Sequence, residues 1–411
     1  MQKKHHKDDL TFVFGKSYPK GLDYISIWFK KGKEYIFSTA AQLAFVSTNS
    51  ISQGEHVALL WPDLLKGGIN IKFAHTSFPW KNSAKNNAGV TCVIIGLQEG
   101  LPKKPKLFTN NQVLSVKNIN PYLAEGHHVF LFRRSKSISG LKEMVFGNMA
   151  ADGGHLILSE KEYGNLVNQS PDLKPYLRKL VGSEELIKGK IRYCLWLESA
   201  EKNILSNEFV KKRISLTKNE RLQSSRPQLA DTPHLFAQRS ASPSQFKSAI
   251  IIPRVSSERR EYIPLGFIDC STVPTDRLQV IPDGDLYDFA IITSKMHMAW
   301  VNRTCGRLKT DYNYSIDIVY NNFPVPKISQ TQKEQLKVSG RKIVFARENH
   351  TEKTLAEMYD PEKMPDDLRE AHHQNDLLVD KLYRDKPYNN DEERLADLFK
   401  LYEEMIAKEK K

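Results

Sequence analysis

Cysteine is scarce in this 411-residue chain, and the four present, Cys92, Cys194, Cys270 and Cys305, stand far apart. No Cys-x-x-Cys occurs, which argues against a zinc site or a disulfide framework and for reduced thiols. Long apolar runs are equally scarce. The longest, Ala88 to Leu97, covers about half a membrane span. The start, MQKKHHKDDL, has no apolar core and does not read as a signal peptide. A cytoplasmic protein with no membrane partner is therefore expected. Carboxylates are in deficit: 61 Lys and Arg face 48 Asp and Glu, a net charge of +13. That excess points to a polyanionic partner such as nucleic acid. The pairs His5/His6, His127/His128 and His372/His373 lack Cys or carboxylate neighbours at metal spacing, so they read as solvated and no metal site is expected. No Ser-His-Asp order and no paired-carboxylate constellation stands out, and there are no internal repeats.

What is present suits packed cores. Hydrophobic residues make up 40% and aromatics 10%, enough for two or three domains. Leu22, Ile25, Trp28, Phe29, Tyr35 and Ile36 recur at roughly helical spacing within residues 1–40. Strands are expected at Leu43–Val46, Ile69–Ala74 and Ala88–Leu97. The last is continuously apolar, as a strand buried on both faces would be. One βαβ-like half of a doubly wound sheet accounts for residues 1–100. LPKKPKLF, Leu101 to Phe108, reads as an exposed connector. Beyond it short strands alternate with turns, including HLILS, IRYCLWL, AIIIPRVSSERR, YIPLGFI, LQVIP and FAIITS, with a helix from Glu160, a helix at HMAWVNRTCG and a strand at RLKTDYNYS. From residue 331 the chain is charged and helical. Pro365 before Asp366 and Asp367 marks a helix start, and Leu395, Leu398, Phe399, Tyr402, Met405 and Ile406 form one apolar stripe. The fold class read from this is α/β: a partial Rossmann-like sheet at 1–108, a mixed α/β domain at 109–328, and a small helical domain at 329–411.

Eight ordered blocks carry a resemblance: FVSTNSISQGE; INIKFAHTSFPWKN with VTCVIIG; DGGHLILSEKEY; GSEE with RYCLWL; TPHLF; IPRVSSERREYIPLGF; SKMHMAWVNRTCGRLKTDYNYS; and YNNFP. They resemble the carboxyl-terminal part of the MmeI-like, type IIL restriction–modification proteins, and LAEMYDPEKMPDDLREAH is similar to that family's small terminal domain. The resemblance runs from about Lys7 to Met405. It implies an adenine methyltransferase that uses S-adenosylmethionine, followed by a target-recognition domain, acting on double-stranded DNA. The chain departs from that plan. It has no glycine-rich cofactor loop after a first strand and no Asn-Pro-Pro-Tyr/Phe motif; Asn120-Pro121-Tyr122 has one proline and reads as a turn. The expectation is the second half of a methyltransferase domain joined to a complete recognition domain, without independent catalysis: either a truncated reading frame or the specificity half of a split enzyme completed by a second polypeptide. A competent methyltransferase remains the alternative.

Candidate residues follow from chemistry. Asn49 ends an apolar strand where open α/β sheets place ligands, and Phe78 and Trp80 are aromatics able to stack on a flipped adenine. No catalytic residue is assigned. In RLKTDYNYS, alternation puts Lys309, Asp311 and Asn313 on one face. Lys donates to guanine O6 and N7 and Asp accepts from cytosine N4, so Lys309 and Asp311 suit one G·C pair. In the family this resembles, variable residues of the segment are associated with base choice. Arg254, Arg259, Arg260, Arg303 and Arg307 suit phosphate contacts or base reading, and Lys211, Lys212 and Arg213 suit phosphates.

Overall fold

A computed structural model describes residues 3–80, 90–109 and 112–409. The first unit is a five-stranded sheet backed by helices α1 (Lys4–Phe14), α2 (Ser26–Ile36) and α3 (Gly54–Leu64). Its strands are β1 (Gln42–Thr48), β2 (Ile69–Pro79), β3 (Thr91–Glu99), β4 (Lys106–Thr109) and β5 (Gln112–Ser115), in the order β1-β3-β2-β4-β5. The expected βαβ unit is present, because β1 and β2 both run antiparallel to β3 and so run parallel to each other, joined through α3. The apolar run is the central strand of this mixed sheet; its first residues, Ala88 and Gly89, lie outside the described residues. β4 adds parallel to β2, and β5 closes that side antiparallel. Gly32 lets α2 lie close to β1, since a Cβ there would sit 2.8 Å from Leu43 and 2.9 Å from Phe45. Phe29, Trp61, Ile71, Val93 and Ile95 fill the layer between helices and sheet.

Residues 120–124 form a tight turn, not a catalytic loop. Asn120 Oδ1 accepts from the N–H groups of Tyr122 (3.0 Å) and Ala124 (3.2 Å), which is how Asn side chains close turns. Three further sheets follow. One comprises β6 (Val145–Phe146), β10 (Ser248–Pro253), β12 (Gly266–Asp269) and β14 (Leu278–Pro282). A second comprises β7 (Ile157–Leu158), β8 (Leu177–Val181), β9 (Arg192–Leu195) and β13 (Thr272–Pro274). Around them pack α4 (Glu160–Gln169), α5 (Ser183–Lys188), α6 (Lys202–Leu205) and α7 (Glu208–Leu222). The third, in the order β11-β16-β15, joins β11 (Val255–Ser256), β15 (Gly306–Leu308) and β16 (Asp311–Asn313).

Two expected strands are corrected. FAIITS is mostly helix α8 (Leu286–Ile292), started by a capping box in which Asp285 accepts from the Tyr287 and Asp288 N–H groups. A short apolar run bounded by Gly284 and Asp285 suits either a buried strand or a buried helix, and the cap decides. RLKTDYNYS is a hairpin, β15 turning into β16, because Lys309 adopts φ +58° and reverses the chain. The helix before it is α9 (Lys295–Thr304). The remaining chain is helical: α10 (Gln330–Glu348), α11 (Leu355–Met358), α12 (Asp366–Tyr383) and α13 (Asp391–Glu409). α12 begins after Pro365 as expected, and Leu395, Leu398, Phe399 and Tyr402 are buried. One hydrophobic core runs from Leu10 through Trp300 to Tyr402, so the first sheet, the small β11-β16-β15 sheet and the terminal helices pack as one body. A separate core, around Leu158, Leu195 and Phe236, serves residues 156–273.

Candidate nucleic-acid interface

β1, β2 and β4 run in one direction, so their carboxyl ends share one edge of the sheet. There a cavity of about 280 Å³ is lined by Ser52 and Gln53 after β1, Thr76 and Ser77 of β2, Thr91 of β3 and Thr109 of β4. Gln53 is buried, and its Oε1 has no hydrogen-bond partner among the described residues. Asn49, expected at this rim, is buried in the short turn Asn49–Ser52 and does not line the cavity among the described residues. Its neighbour Ser50 donates to Asp23 Oδ2 at 3.0 Å. Phe78 packs edge-on against His75, ring centroids 5.0 Å apart. Trp80 is 43% exposed at the end of β2, its backbone N–H donating to Val90 O at 2.8 Å. The cavity residues were missed because Ser, Thr and Gln carry no motif; only their place after strands could have flagged them.

The hairpin docks on this same end. Gly54, with φ +60°, meets Gly306 so closely that a Cβ would lie 3.3 Å from the Gly306 Cα. Beside it Arg133 forms a bidentate pair with Glu55 (2.6 Å twice) and a third bond to Asp317 (2.8 Å).

The small sheet has two unlike faces. On one, Tyr312 is buried and Arg307 stacks on its ring at 3.9 Å. The Arg307 guanidinium also donates to Thr310 O (3.1 Å) and Asn302 Oδ1 (2.9 Å) and is 3.5 Å from Glu258; its side chain is 8% exposed. Tyr314, next on that face, is tied further. His297 Nδ1 lies 2.7 Å from Ile292 O, a pure acceptor, so Nδ1 carries the proton. Nε2 is then free to accept from the Tyr314 hydroxyl at 2.9 Å. Burial holds the imidazole well below its ordinary pKa, at about 4.

The other face carries Asp311 and Asn313, with Leu308 and Gly306 beside them across the hairpin. Lys309 is exposed in the turn itself rather than on that strand face. The cation facing Asp311 is Arg260, half buried, whose pKa burial lowers while Asp311 and Asp360 raise it. Arg254 is the backbone neighbour of this face, its carbonyl accepting from the Tyr314 N–H at 2.9 Å. Its guanidinium lies 5.5 Å from the Phe146 ring, forms no ion pair among the described residues, and lines a cavity of about 610 Å³ with Asn313 and Ser315.

Not every expected basic residue points outward. Arg303 donates to Leu123 O at 3.1 Å and pairs with Glu392 of α13, so it clamps three parts of the chain. Arg303 and Arg307, expected at phosphates or bases, are thus engaged within the chain. Arg259 is exposed and pairs with Glu362 at 3.2 Å. Arg213 pairs with Glu162, whereas Lys211 and Lys212 are exposed on α7. His372 is a correction of another kind: it is buried, stacked on Tyr262 at 4.1 Å and bonded to the Tyr359 hydroxyl at 2.8 Å. Among the described residues no group of His, Cys, Asp or Glu is arranged to hold a metal, and no helix is long and apolar enough to cross a membrane.

Comparison with known proteins matches three family models in succession: the MmeI DNA-methyltransferase domain at residues 1–109, the MmeI target recognition domain at 125–327 and the MmeI C-terminal domain at 328–408. The chain is 44% identical over 413 aligned residues to DNA methyltransferase A of Bacillus subtilis (strain 168), covering 99% of this chain and 46% of that protein. It is also similar to the Type IIL restriction-modification enzyme MmeI solved in complex with DNA, with TM-score 0.88 and 36% identity, covering 99% of this chain and 55% of that one. The chain therefore spans about half the length of these relatives.

Proposed function

The chain belongs to the MmeI family, and on that footing we propose that it recognises a DNA sequence for site-specific adenine-N6 methylation within a restriction–modification protein. One observation carries this reading. The hairpin with the readable polar face is fixed, through Gly54–Gly306 and Glu55–Arg133–Asp317, to the sheet end where α/β sheets hold ligands. A recognised sequence and a target base are thereby held at a set separation.

In this reading Asp311 and Asn313 meet base edges in the major groove, Lys309 reaches from the turn, and Arg254 and Arg260 flank them. Asp311 accepts from a cytosine amine, and Lys309 donates to the paired guanine. Arg259, Lys211 and Lys212 contact phosphates. Trp80, exposed at the rim, stacks on the extruded adenine, with Phe78 and Asn49 supporting that wall.

The family uses S-adenosylmethionine, and the described residues do not fit it. The cavity of about 280 Å³ at the strand ends lies at the low end of the ~300–1,000 Å³ usual for small-molecule sites. Its carboxylates Glu258, Asp391 and Glu392 are each engaged by an arginine, leaving none for ribose hydroxyls. The sequence offers no Asn-Pro-Pro-Tyr/Phe motif to orient the adenine amine. We therefore assign cofactor binding and catalysis to methyltransferase residues outside the described ones.

Fluorescence anisotropy with selected and scrambled duplexes tests the reading. Specific binding at least tenfold tighter than scrambled, with no tritiated methyl transfer from the cofactor by the chain alone, is expected. Equal binding to both duplexes would refute recognition, and methyl transfer by the chain alone would make it a competent enzyme.

A further inference from the structure

β16, the strand that carries Asp311 and Asn313, is held from both sides. β11 pairs with one edge of it, Val255 opposite Asn313 and Ser256 opposite Tyr312, and β15 pairs with the other. Behind the strand, α9 holds the buried face: His297 meets the Tyr314 hydroxyl, and Asn302 Oδ1 accepts from Arg307. The readable face is therefore no better placed than the roots of β11 and α9. Both roots converge on one side chain of the C-terminal helices.

That side chain is Asp376 of α12, 2% exposed. Its Oδ1 accepts from the backbone N–H of Lys295 at 2.7 Å. Lys295 opens α9, so this N–H is one of the donors a helix cannot satisfy within itself, and a carboxylate there also suits the positive end of the helix dipole. The Asp376 Oδ2 accepts from the Tyr262 hydroxyl at 2.6 Å. Tyr262 follows β11, with Arg259 and Arg260 between them. Neighbours strengthen the grip on this segment. Arg369 of α12 donates to Glu261 at 2.6 Å, Arg347 of α10 donates to Leu265 O at 2.7 Å, and His372, one turn before Asp376, stacks on Tyr262.

Stability alone does not call for a carboxylate in this place. Burying one is costly, and an apolar residue of similar size often fills a core as well or better. What the carboxylate adds is direction: two acceptor oxygens on one rigid group fix two donors at one separation. Hydrogen bonds to base edges weaken steeply with displacement, so a reading face needs such fixing. We propose that Asp376 is a positioning residue for base recognition: it fixes the roots of α9 and β11 relative to each other and so sharpens sequence discrimination without touching DNA. This rests on the reading that the hairpin face recognises DNA, and it deepens that reading by naming what holds the face in place.

The test uses the full chain, a duplex that the wild type selects from a random pool, and its scrambled counterpart. All affinities are measured well below the melting transition of each variant. Tyr262→Phe keeps the ring on His372 and removes only the hydroxyl; it should lower the ratio of selected to scrambled affinity about fivefold. Asp376→Ala removes both acceptors and should lower the ratio by about tenfold, with scrambled binding changed by less than about twofold. Asp376→Asn offers its oxygen to Lys295 and its amide to the Tyr262 hydroxyl, and should keep the ratio within about threefold of wild type. An unchanged ratio in Tyr262→Phe and Asp376→Ala would overturn the proposal. So would a loss shared equally by both duplexes, the mark of a merely structural role, or an Asn variant as impaired as the Ala variant. If Asp376→Ala does not fold, Tyr262→Phe decides alone. A wild type that binds both duplexes equally removes the recognition reading and the positioning role with it, whereas specific wild-type binding with indifferent variants removes only the positioning role.

Discussion

The two faces of the β15–β16 hairpin are made from one short segment, residues 306–314, yet they are held to opposite standards. On the buried face the side chains are engaged: Arg307 meets Tyr312, Thr310, Asn302 and Glu258 through its terminal nitrogens and ring stacking, and Tyr314 meets His297. On the open face Asp311 and Asn313 make no side-chain hydrogen bond among the described residues, and Arg254 forms no ion pair there. Satisfied groups fix geometry, and unsatisfied groups at a surface are free to bind. The difference teaches that positive charge alone does not mark a DNA contact. Among these arginines Arg254, with no ion pair among the described residues, is a candidate for DNA, and the internally engaged Arg303 and Arg307 hold the platform.

The largest expected effect breaks the buried face. Tyr312→Ala removes a buried aromatic and the ring under Arg307, and should cost about 3–5 kcal/mol in denaturant unfolding. Asn313→Ala, one residue along on the open face, should move stability by less than about 0.5 kcal/mol. If both cost the same, the distinction between faces is wrong.

Acid sharpens the same contrast. His297 has its pKa lowered from 6.5 to about 4, so the folded state resists the proton that the unfolded chain accepts. Its stabilising contribution is complete above pH 6.5 and is lost as pH falls toward 4, about 3 kcal/mol in all at ~1.4 kcal/mol per pKa unit. Asp376, raised to about 7 mainly by burial, acts in reverse: its contribution is present below 3.8 and lost as pH rises to 7. The difference between wild type and His297→Gln isolates the imidazole. A pH-independent difference over that window would refute the neutral tautomer.

Binding effects are smaller and lie on the open face. Arg254→Ala should weaken specific binding by about 1–3 kcal/mol with scrambled duplex less affected, as expected of a base reader. Loss that is equal on both duplexes would make Arg254 a phosphate contact. Lys211→Ala should reduce the slope of log affinity against log salt by about 0.9, with specificity unchanged. An unaltered slope would remove α7 from the interface.

How much of this was legible depends on how local the cause is. The strands at 43–46 and 69–74, the capped helix at Glu160 and the stripe from Leu395 follow from periodicity and caps, and the structure contains them. α8 was misread because the short apolar run Phe289–Ile292 fits two periods, and the Asp285 cap that decides between them lies outside it. The hairpin was misread because a two-residue turn at Lys309 carries neither Gly nor Asn to announce φ +58°. Alternation nonetheless put Asp311 and Asn313 on one face, since both lie within β16. Arg303 and Arg307 were read as DNA contacts, and His372 as solvated, because their partners, Glu392, Glu258 and Tyr359, are set by tertiary packing.

Exchange of the turn and strand charges tests the central claim most directly. The double variant Lys309→Glu with Asp311→Arg should be compared with wild type by selection of bound duplexes from a random pool. The account predicts an altered base preference at one position, with the rest of the recognised sequence and the melting curve unchanged. An unchanged recognised sequence would contradict the claim that this face reads DNA.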